Sequence, residues 1–172
     1  MNNKTKLLNL VKISLVAALV CIATLIYVPL PIGYANLGDA VVLLGAFLLG
    51  PVVGGLAGGI GAALADLFAG YPAYIPATFV IKLLVAVIAA LIYKSMVSGK
   101  CNKIIASLVA AVAAEAFMVF GYYLYEAIAL SYGFGGALAS VLGNCTQALV
   151  CAAVAIIALP AVQKIYDKMQ TK

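Results

Sequence analysis

The sequence predicts an all-α membrane protein that crosses the bilayer with six transmembrane helices and has both termini in the cytoplasm. Hydrophobic residues make up 67% of the 172 residues and charged residues only 9%, a balance that would leave a soluble domain of this size with an apolar surface. Apolar runs of about eighteen residues or more recur, and each is long enough to cross roughly 30 Å of hydrocarbon as a helix. They lack the alternating polarity of transmembrane β-strands.

Proline, glycine and a capping residue divide the chain into helices. Pro29 and Pro31 end the first apolar run, because proline cannot continue a helix. Asp39 is a suitable N-cap for the second helix, and Gly50-Pro51 predicts a tight turn before the third. The expected helices cover residues 5–28, 40–49, 52–69, 77–96, 104–130 and 137–166, in a single domain of residues 1–172.

The second and third predicted helices differ from the rest. The second has about ten residues and spans about 15 Å, so it is expected to tilt or to be partly re-entrant. The third is dense in glycine and alanine ("GGLAGGIGAALADLFAG", residues 54–70), and its glycines are expected to serve close packing inside the protein. Three connections then separate the later helices: "GYPAYIP" (residues 70–76), "KSMVSGKCNK" (residues 94–103) and "SYGFGG" (residues 131–136).

Nine of the ten lysines lie in three clusters that predict the topology. They are Lys4, Lys6 and Lys12 before the first apolar run, Lys94, Lys100 and Lys103 around one central loop, and Lys164, Lys168 and Lys172 after the last apolar run. Lysine marks cytoplasmic segments, so all three clusters are placed on the cytoplasmic side of a bacterial plasma membrane. A cleavable signal peptide ending near Gly33-Tyr-Ala35 is the alternative for helix 1, but the lysine pattern works best if that helix is kept.

Several residue types and motifs that enzymes need are missing. There is no phosphate-binding G-x-x-x-x-G-K-[ST] motif, since "SGKC" (residues 98–101) lacks the upstream glycine. The chain has no histidine and no arginine, and its four cysteines show no paired spacing. We therefore expect no enzyme, no catalytic residue, no metal and no cofactor. If the protein pumps a solute, a partner must supply the energy.

Polar side chains occur inside the predicted spans, where a charge at the centre costs about 2.5 kcal/mol or more. Most lie in the outer half of the membrane, which predicts a pocket open to the outside rather than a pore. Two faces carry them: Glu115, Tyr122 and Glu126 at helical spacing on helix 5, and Ser140, Asn144, Gln147 and Cys151 on helix 6. Two such stripes could hydrogen-bond and stack a small heterocycle.

Structural roles compete with this interpretation. Asn144 and Gln147 could serve as hydrogen-bonding links between helices, and Glu115, near the midplane, could be a paired or protonated carboxyl as readily as a ligand contact. Asp66 and Lys82 are expected to form a structural ion pair between adjacent helices. Helix 1 carries a stripe of small residues, which allows close helix packing either inside the protein or against a partner. The stripe comprises Ser14, Ala17, Ala18, Cys21 and Thr24.

Four segments, in order along the chain, resemble one family. They are residues 34–71 (beginning "YANLGDAVVLLGAF"), 75–89 ("IPATFVIKLLVAVIA"), 114–127 ("AEAFMVFGYYLYEA") and 143–147 ("GNCTQ"). The chain resembles the substrate-binding S components of energy-coupling factor (ECF) vitamin transporters, in the branch with riboflavin-type and hydroxymethylpyrimidine-type members. The resemblance implies a six-helix protein that captures a vitamin or precursor from outside and docks on a transmembrane T subunit coupled to two ATPases.

The resemblance also implies where the ligand and the partner bind. The ligand site is expected near the outer face, at Tyr34, Asn36, Lys82, Glu115, Tyr122, Glu126, Asn144 and Gln147. The T subunit is expected to meet small residues of helix 1, at Ser14, Ala17, Ala18 and Cys21, where the family's Ala-x-x-x-Ala pattern is altered by Ser14 and Cys21.

Substrate and mode of action stay open at this point. With no tryptophan to stack a flavin and a compact polar set, the sequence favours hydroxymethylpyrimidine or pyridoxine over riboflavin. A solitary carrier that works without ATPases is one alternative. A structural or assembly protein without a ligand is another.

Overall fold

The computed structural model describes the backbone of residues 3–30 and 33–170 and the side chains of residues 3–26 and 35–169. Five helices carry the described fold, with a short antiparallel β-hairpin between the first two. The elements are α1 (Asn3–Leu25), β1 (Tyr27–Leu30), β2 (Gly33–Asn36), α2 (Gly38–Ala69), α3 (Ile75–Ser98), α4 (Lys103–Leu124), a π-helical turn (Tyr125–Ala129) and α5 (Gly133–Gln170). By length and composition, five helices can cross a membrane.

Helix α2 is a hairpin of two helical segments that corresponds to predicted helices 2 and 3. Its break is Gly50, at φ 80° and ψ −178°, a conformation open essentially to glycine alone. A Cβ placed on Gly54 would lie 2.9 Å from the Cα of Ala46, and one on Gly58 would lie 3.1 Å from the Val42 side chain. In a straight helix these partners would be roughly 12 and 24 Å apart, so the two segments run antiparallel.

The two segments of the hairpin differ in length. Residues 51–69 are roughly 28 Å long, which suffices for the hydrocarbon core, whereas residues 38–49 reach only about 18 Å. The predicted turn at Gly50-Pro51 is therefore confirmed. Among the described residues, five helices are long and apolar enough to cross a membrane when α2 is counted as one helix, and six spans stay a prediction.

The segment between α1 and α2 differs from the sequence-based expectation. Helix α1 ends at Leu25, not near residue 28, and the expected irregular loop contains the strands β1 and β2, with Val28 paired to Ala35 and Pro29 to Tyr34. Pro29 fits because proline tolerates a position in a short edge strand. Each strand pairs with the other alone, and their sequence shows no alternation of polar and apolar residues that would have predicted them.

Asp39 is not the N-cap of α2, contrary to prediction. Leu37 occupies the N-cap position and no side chain caps the helix there, while Asp39 lies in the first turn and is 1% exposed. Its carboxylate bonds to other helices, and those stronger charge-assisted contacts outweigh a local cap.

Small residues bring the helices close together. A Cβ on Gly61 would lie 2.4 Å from the carbonyl oxygen of Ala17 in α1, and one on Gly59 would lie 2.8 Å from that of Phe79 in α3. The glycines of α2 therefore serve internal packing, as predicted, with backbones meeting directly. On α4 the buried core positions are mostly alanine: Ala106, Ala110, Ala111 and Ala114.

Contacts between distant segments define two ends of the helix bundle. At one end, Asn36 bonds to Gln147 and the Tyr125 hydroxyl donates to the carbonyl of Ala73. At the opposite end, Lys12 lies 3.3 Å from the hydroxyl of Tyr166. The first end carries the β-hairpin and the connections at residues 70–74 and 130–132, none of which contains a described lysine, and the second carries every described lysine cluster. We call them the lysine-free end and the lysine-rich end.

Candidate functional site

A cavity of about 410 Å³ opens at the lysine-free end. Residues from α1, β2, both segments of α2, the connection at residues 70–74, α3, α4, the π-helical turn and α5 line it. Of the predicted site residues, the structure brings six to this cavity: Asn36, Lys82, Tyr122, Glu126, Asn144 and Gln147. Tyr34 lies on β2, and its side chain is outside the described residues.

A buried ion pair crosses the floor of the cavity. Lys82 Nζ lies 2.6 and 2.8 Å from the two carboxylate oxygens of Asp39, and the side chains are 7% and 1% exposed. The predicted partner, Asp66, is not in this pair, so that prediction was wrong. Asp39 begins α2 at the depth that the Lys82 ammonium reaches, and spacing within single helices could not reveal that contact. A buried pair of this kind fixes geometry more than it adds stability.

Two amides link the β-hairpin to α5 and α5 to the Asp39 carboxylate of α2. The Asn36 amide donates to Gln147 Oε1 at 2.8 Å, and Gln147 Nε2 donates to Asp39 Oδ2 at 2.7 Å. Below them, Cys151 Sγ lies 3.0 Å from the carbonyl oxygen of Asn36. Gln147 thus joins three elements, and its amide is a structural link as well as a wall of the cavity.

Tyr122 presents a ring and a hydroxyl to the site. Lys82 Nζ lies 5.2 Å from the centre of the Tyr122 ring, within cation–π distance. The Tyr122 hydroxyl donates to Thr78 Oγ1 at 3.0 Å. The ring is therefore held on two sides, which gives the cavity a fixed aromatic surface for a planar ligand.

Glu126 is the acceptor on the opposite wall. The Ser140 hydroxyl donates to Glu126 Oε2, and the Tyr74 hydroxyl donates to Oε1 at 3.3 Å. Burial and the Glu126 charge raise the pKa of the Tyr74 phenol well above its usual value, so Tyr74 keeps its proton and acts as a donor. Glu126 lies in the π-helical turn, a local geometry that often marks functional positions.

Two polar side chains face the cavity with capacity to spare. Asn144 lines it and makes no side-chain hydrogen bond within the described part of the chain. Asp66 also lines it, and its Oδ2 atom is buried with no hydrogen-bond partner among the described residues. Both groups are therefore available to a ligand.

The structure does not bring Glu115 to the cavity. This residue is 3% exposed, and neither carboxylate oxygen has a hydrogen-bond partner in the part of the chain that the structure describes. It shares a helical face with Tyr122 and Glu126, as the spacing predicts, but lies about two turns deeper than Tyr122. The predicted helical face of Glu115 is therefore correct, but the residue lies too deep in the bundle to line the cavity.

Several lining residues were missing from the predicted site. Among them are Tyr71, Tyr74, Thr78 and Ser140. The first two belong to "GYPAYIP", where Tyr71 and Tyr74 pack edge to face at 6.3 Å; an aromatic loop beside polar helix ends was the available signal. Ser140 was visible on the polar face of α5, one turn before Asn144.

The small-residue stripe on α1 divides between two surfaces. Ala17 and Cys21 are buried inside the protein, with Ala17 against Gly61 of α2, while Ser14 and Ala18 are exposed. The exposed pair keeps a small-residue surface on the outside of α1.

Comparison with known proteins identifies the family. The family described as "ECF-type riboflavin transporter, S component" matches residues 4–166, nearly the whole chain. The chain belongs to this family. The S component is also similar to a Pyrococcus woesei protein described as "Uncharacterized protein in gap 3'region", which is 37% identical over 128 residues, or 73% of this chain and 80% of the relative.

Family membership agrees with the fold and with the class of protein. S components are transport proteins of the membrane, not enzymes, and they work together with a T component and ATPases. This S component has the several apolar helices that a multi-pass membrane protein requires. The family as a whole captures vitamin-type substrates for ECF transport.

Proposed function

We propose that this S component captures a small heterocyclic vitamin or vitamin precursor from outside the cell and delivers it to a T subunit with two ATPases. The observation that carries the proposal is the polar cavity at the lysine-free end of an otherwise apolar bundle. Lysines mark the cytoplasmic side, so the cavity opens outward from a multi-pass protein of the plasma membrane. Placing polar and charged groups inside a membrane protein costs free energy, so their presence there indicates a function.

The proposed ligand contacts are the six cavity residues predicted from the sequence, with the Tyr122 ring as the stacking surface and Asn144 as the amide with free hydrogen-bonding capacity. Glu126 is an acceptor among the six, and Asp66 adds another. Tyr34 remains a proposed contact from the β-hairpin. Glu115, which does not line the cavity, is not among the proposed ligand contacts.

The charges of the lining favour a ligand that donates hydrogen bonds. Asp39, Asp66 and Glu126 contribute three carboxylates against the single ammonium of Lys82, and Lys82 is already paired with Asp39. Asp66 Oδ2 is left to accept from an amino or hydroxymethyl group, and Glu126, whose two oxygens each accept one bond from the protein, can accept further bonds from the ligand. Hydroxymethylpyrimidine and pyridoxine both carry such donors on a flat ring, and they are our first candidates.

Riboflavin is the second candidate, because the matching family is described as a riboflavin transporter component. A cavity of about 410 Å³ falls within the usual range of small-molecule pockets, roughly 300–1,000 Å³. Its size therefore supports either a single ring or a larger flavin.

Thermal unfolding of the purified protein in detergent tests the ligand class. A ligand present at about 100 times its Kd stabilises the folded state by about 2.7 kcal/mol, which raises the unfolding temperature by several degrees. We expect hydroxymethylpyrimidine or pyridoxine to give this shift. A shift with riboflavin alone would move the assignment to the second candidate, and no shift with any of the three would contradict a vitamin site.

Uptake by cells tests the partnership. We expect accumulation of the labelled ligand only when the T subunit and both ATPases are produced together with the S component. Accumulation without them would indicate a solitary carrier.

The exposed small-residue surface at Ser14 and Ala18 is the proposed contact with the T subunit. Ala17 and Cys21 support it from inside.

A further inference from the structure

A second cavity lies at the lysine-rich end, far from the proposed vitamin site. Its volume is about 690 Å³, and it separates the start of α4 from the last third of α5. The contacts at this end and at the lysine-free end involve opposite ends of the helices, so the two cavities cannot share one ligand. The proposed function gives this second cavity no role.

The cavity combines a basic rim with an apolar wall. Its charged lining consists of Lys103, Lys164, Lys168 and Asp167, a net charge of +2 from three lysines and one aspartate. The beginning of α4 adds the positive end of a helix dipole. The remaining wall is largely apolar, formed by Ile104, Ile156, Leu159 and Pro160.

The surroundings indicate an occupant that is part anion and part hydrocarbon. Near the cavity, Ile157 is 80% exposed and Ile165 is 60% exposed, as expected of side chains that face lipid tails. A free inorganic anion would use the lysines and leave the apolar wall in water. Basic pockets between transmembrane helices at the cytoplasmic side suit the headgroups of anionic lipids.

We propose that this cavity binds an anionic phospholipid from the membrane leaflet at the lysine-rich end. The headgroup phosphate lies between Lys103 of α4 and Lys164 of α5, and the start of an acyl chain lies against Ile104 and Leu159. The lipid fills the gap between the start of α4 and the last third of α5. The proposal does not depend on which vitamin the other cavity takes.

Native mass spectrometry with short-chain phosphatidylglycerol is the direct test. We expect binding of phosphatidylglycerol in preference to phosphatidylcholine, and roughly tenfold or greater weakening in the Lys103→Gln, Lys164→Gln double variant, because each lysine near a membrane surface contributes about 1 kcal/mol. Lys94→Gln, Lys100→Gln is the matched control, since both lysines are exposed at the same end and neither lines the cavity. Its affinity is expected to stay within about twofold of the parent.

Four results would overturn the proposal. They are equal binding of phosphatidylcholine, equal weakening in both double variants, displacement of the lipid by inorganic phosphate at similar concentration, and loss of the T subunit from the double variant without any loss of lipid. The last would make the cavity a protein interface. Unchanged unfolding temperatures of both variants ensure that the comparison reports binding and not misfolding.

Discussion

Lys82 is the residue on which the site depends most directly. Its ammonium bonds both oxygens of Asp39 and lies over the Tyr122 ring, so it determines where a carboxylate and an aromatic surface face the cavity. The sequence drew attention to Lys82 as a charge inside a span but paired it with Asp66. Only the fold reveals that the Lys82 ammonium pairs with Asp39, in the first turn of α2, and not with Asp66, in its last turn.

Replacing Lys82 tests this role. Lys82→Met leaves the Asp39 carboxylate buried without its cation, and breaking one side of a buried pair costs about 3–5 kcal/mol. Lys94→Met is the control, because Lys94 lies on the same helix and is exposed. We expect a large drop in unfolding temperature and loss of ligand binding for the first variant and little change for the second. Equal unfolding temperatures of the two variants would show that the ion pair does not stabilise the fold.

At the scale of elements, the long apolar helices were predictable and the short features were not. Length and hydropathy located α1, α3, α4 and α5, because a membrane-spanning helix needs about twenty consecutive apolar residues and such runs are rare outside membrane spans. The β-hairpin depends on two backbone segments that meet after folding. The π-helical turn at Tyr125–Ala129 leaves no distinct trace in residue type.

The α2 hairpin gives the sharpest prediction for an element. Gly50→Ala forces a side chain into φ 80°, which costs about 1–3 kcal/mol, and it loosens the turn that brings Asp39 to the cavity. Gly135→Ala is the control, since Gly135 lies in α5 with open space around it and no positive φ. There the change is expected to be neutral or to stabilise by up to about 1 kcal/mol. Thermal unfolding of both variants provides the comparison, and an unchanged Gly50→Ala protein would contradict the hairpin turn.

The whole molecule is polarised, with a cavity that holds carboxylates at one end and lysines at the other. From the sequence, the lysine clusters and the depth of the polar residues predicted this polarity, and six of the eight proposed ligand positions line one cavity. The sequence also placed Glu115 near the midplane. The partner of Asp39 could not be predicted, because it depends on how far neighbouring helices slide along one another.

Thiol labelling in intact cells tests the orientation of the molecule. Cys101 lies between α3 and α4 at the lysine-rich end, and Ser131 is exposed at the lysine-free end. With the other cysteines replaced, a membrane-impermeant maleimide is expected to label Ser131→Cys in intact cells and Cys101 only after permeabilisation. Labelling in the reverse order would place the vitamin cavity on the cytoplasmic side and contradict capture from outside.

The most direct measurement is native mass spectrometry of the S component purified from its membrane together with the Asn144→Leu variant. Asn144 lines the cavity without a hydrogen bond to the described chain, so its loss should remove ligand contacts and leave the stability nearly unchanged. We predict one small heterocycle bound per wild-type protein and none bound to the variant at equal folding. A ligand-free wild-type protein, even after incubation with the candidate vitamins, or a ligand held equally by both proteins, would contradict the account.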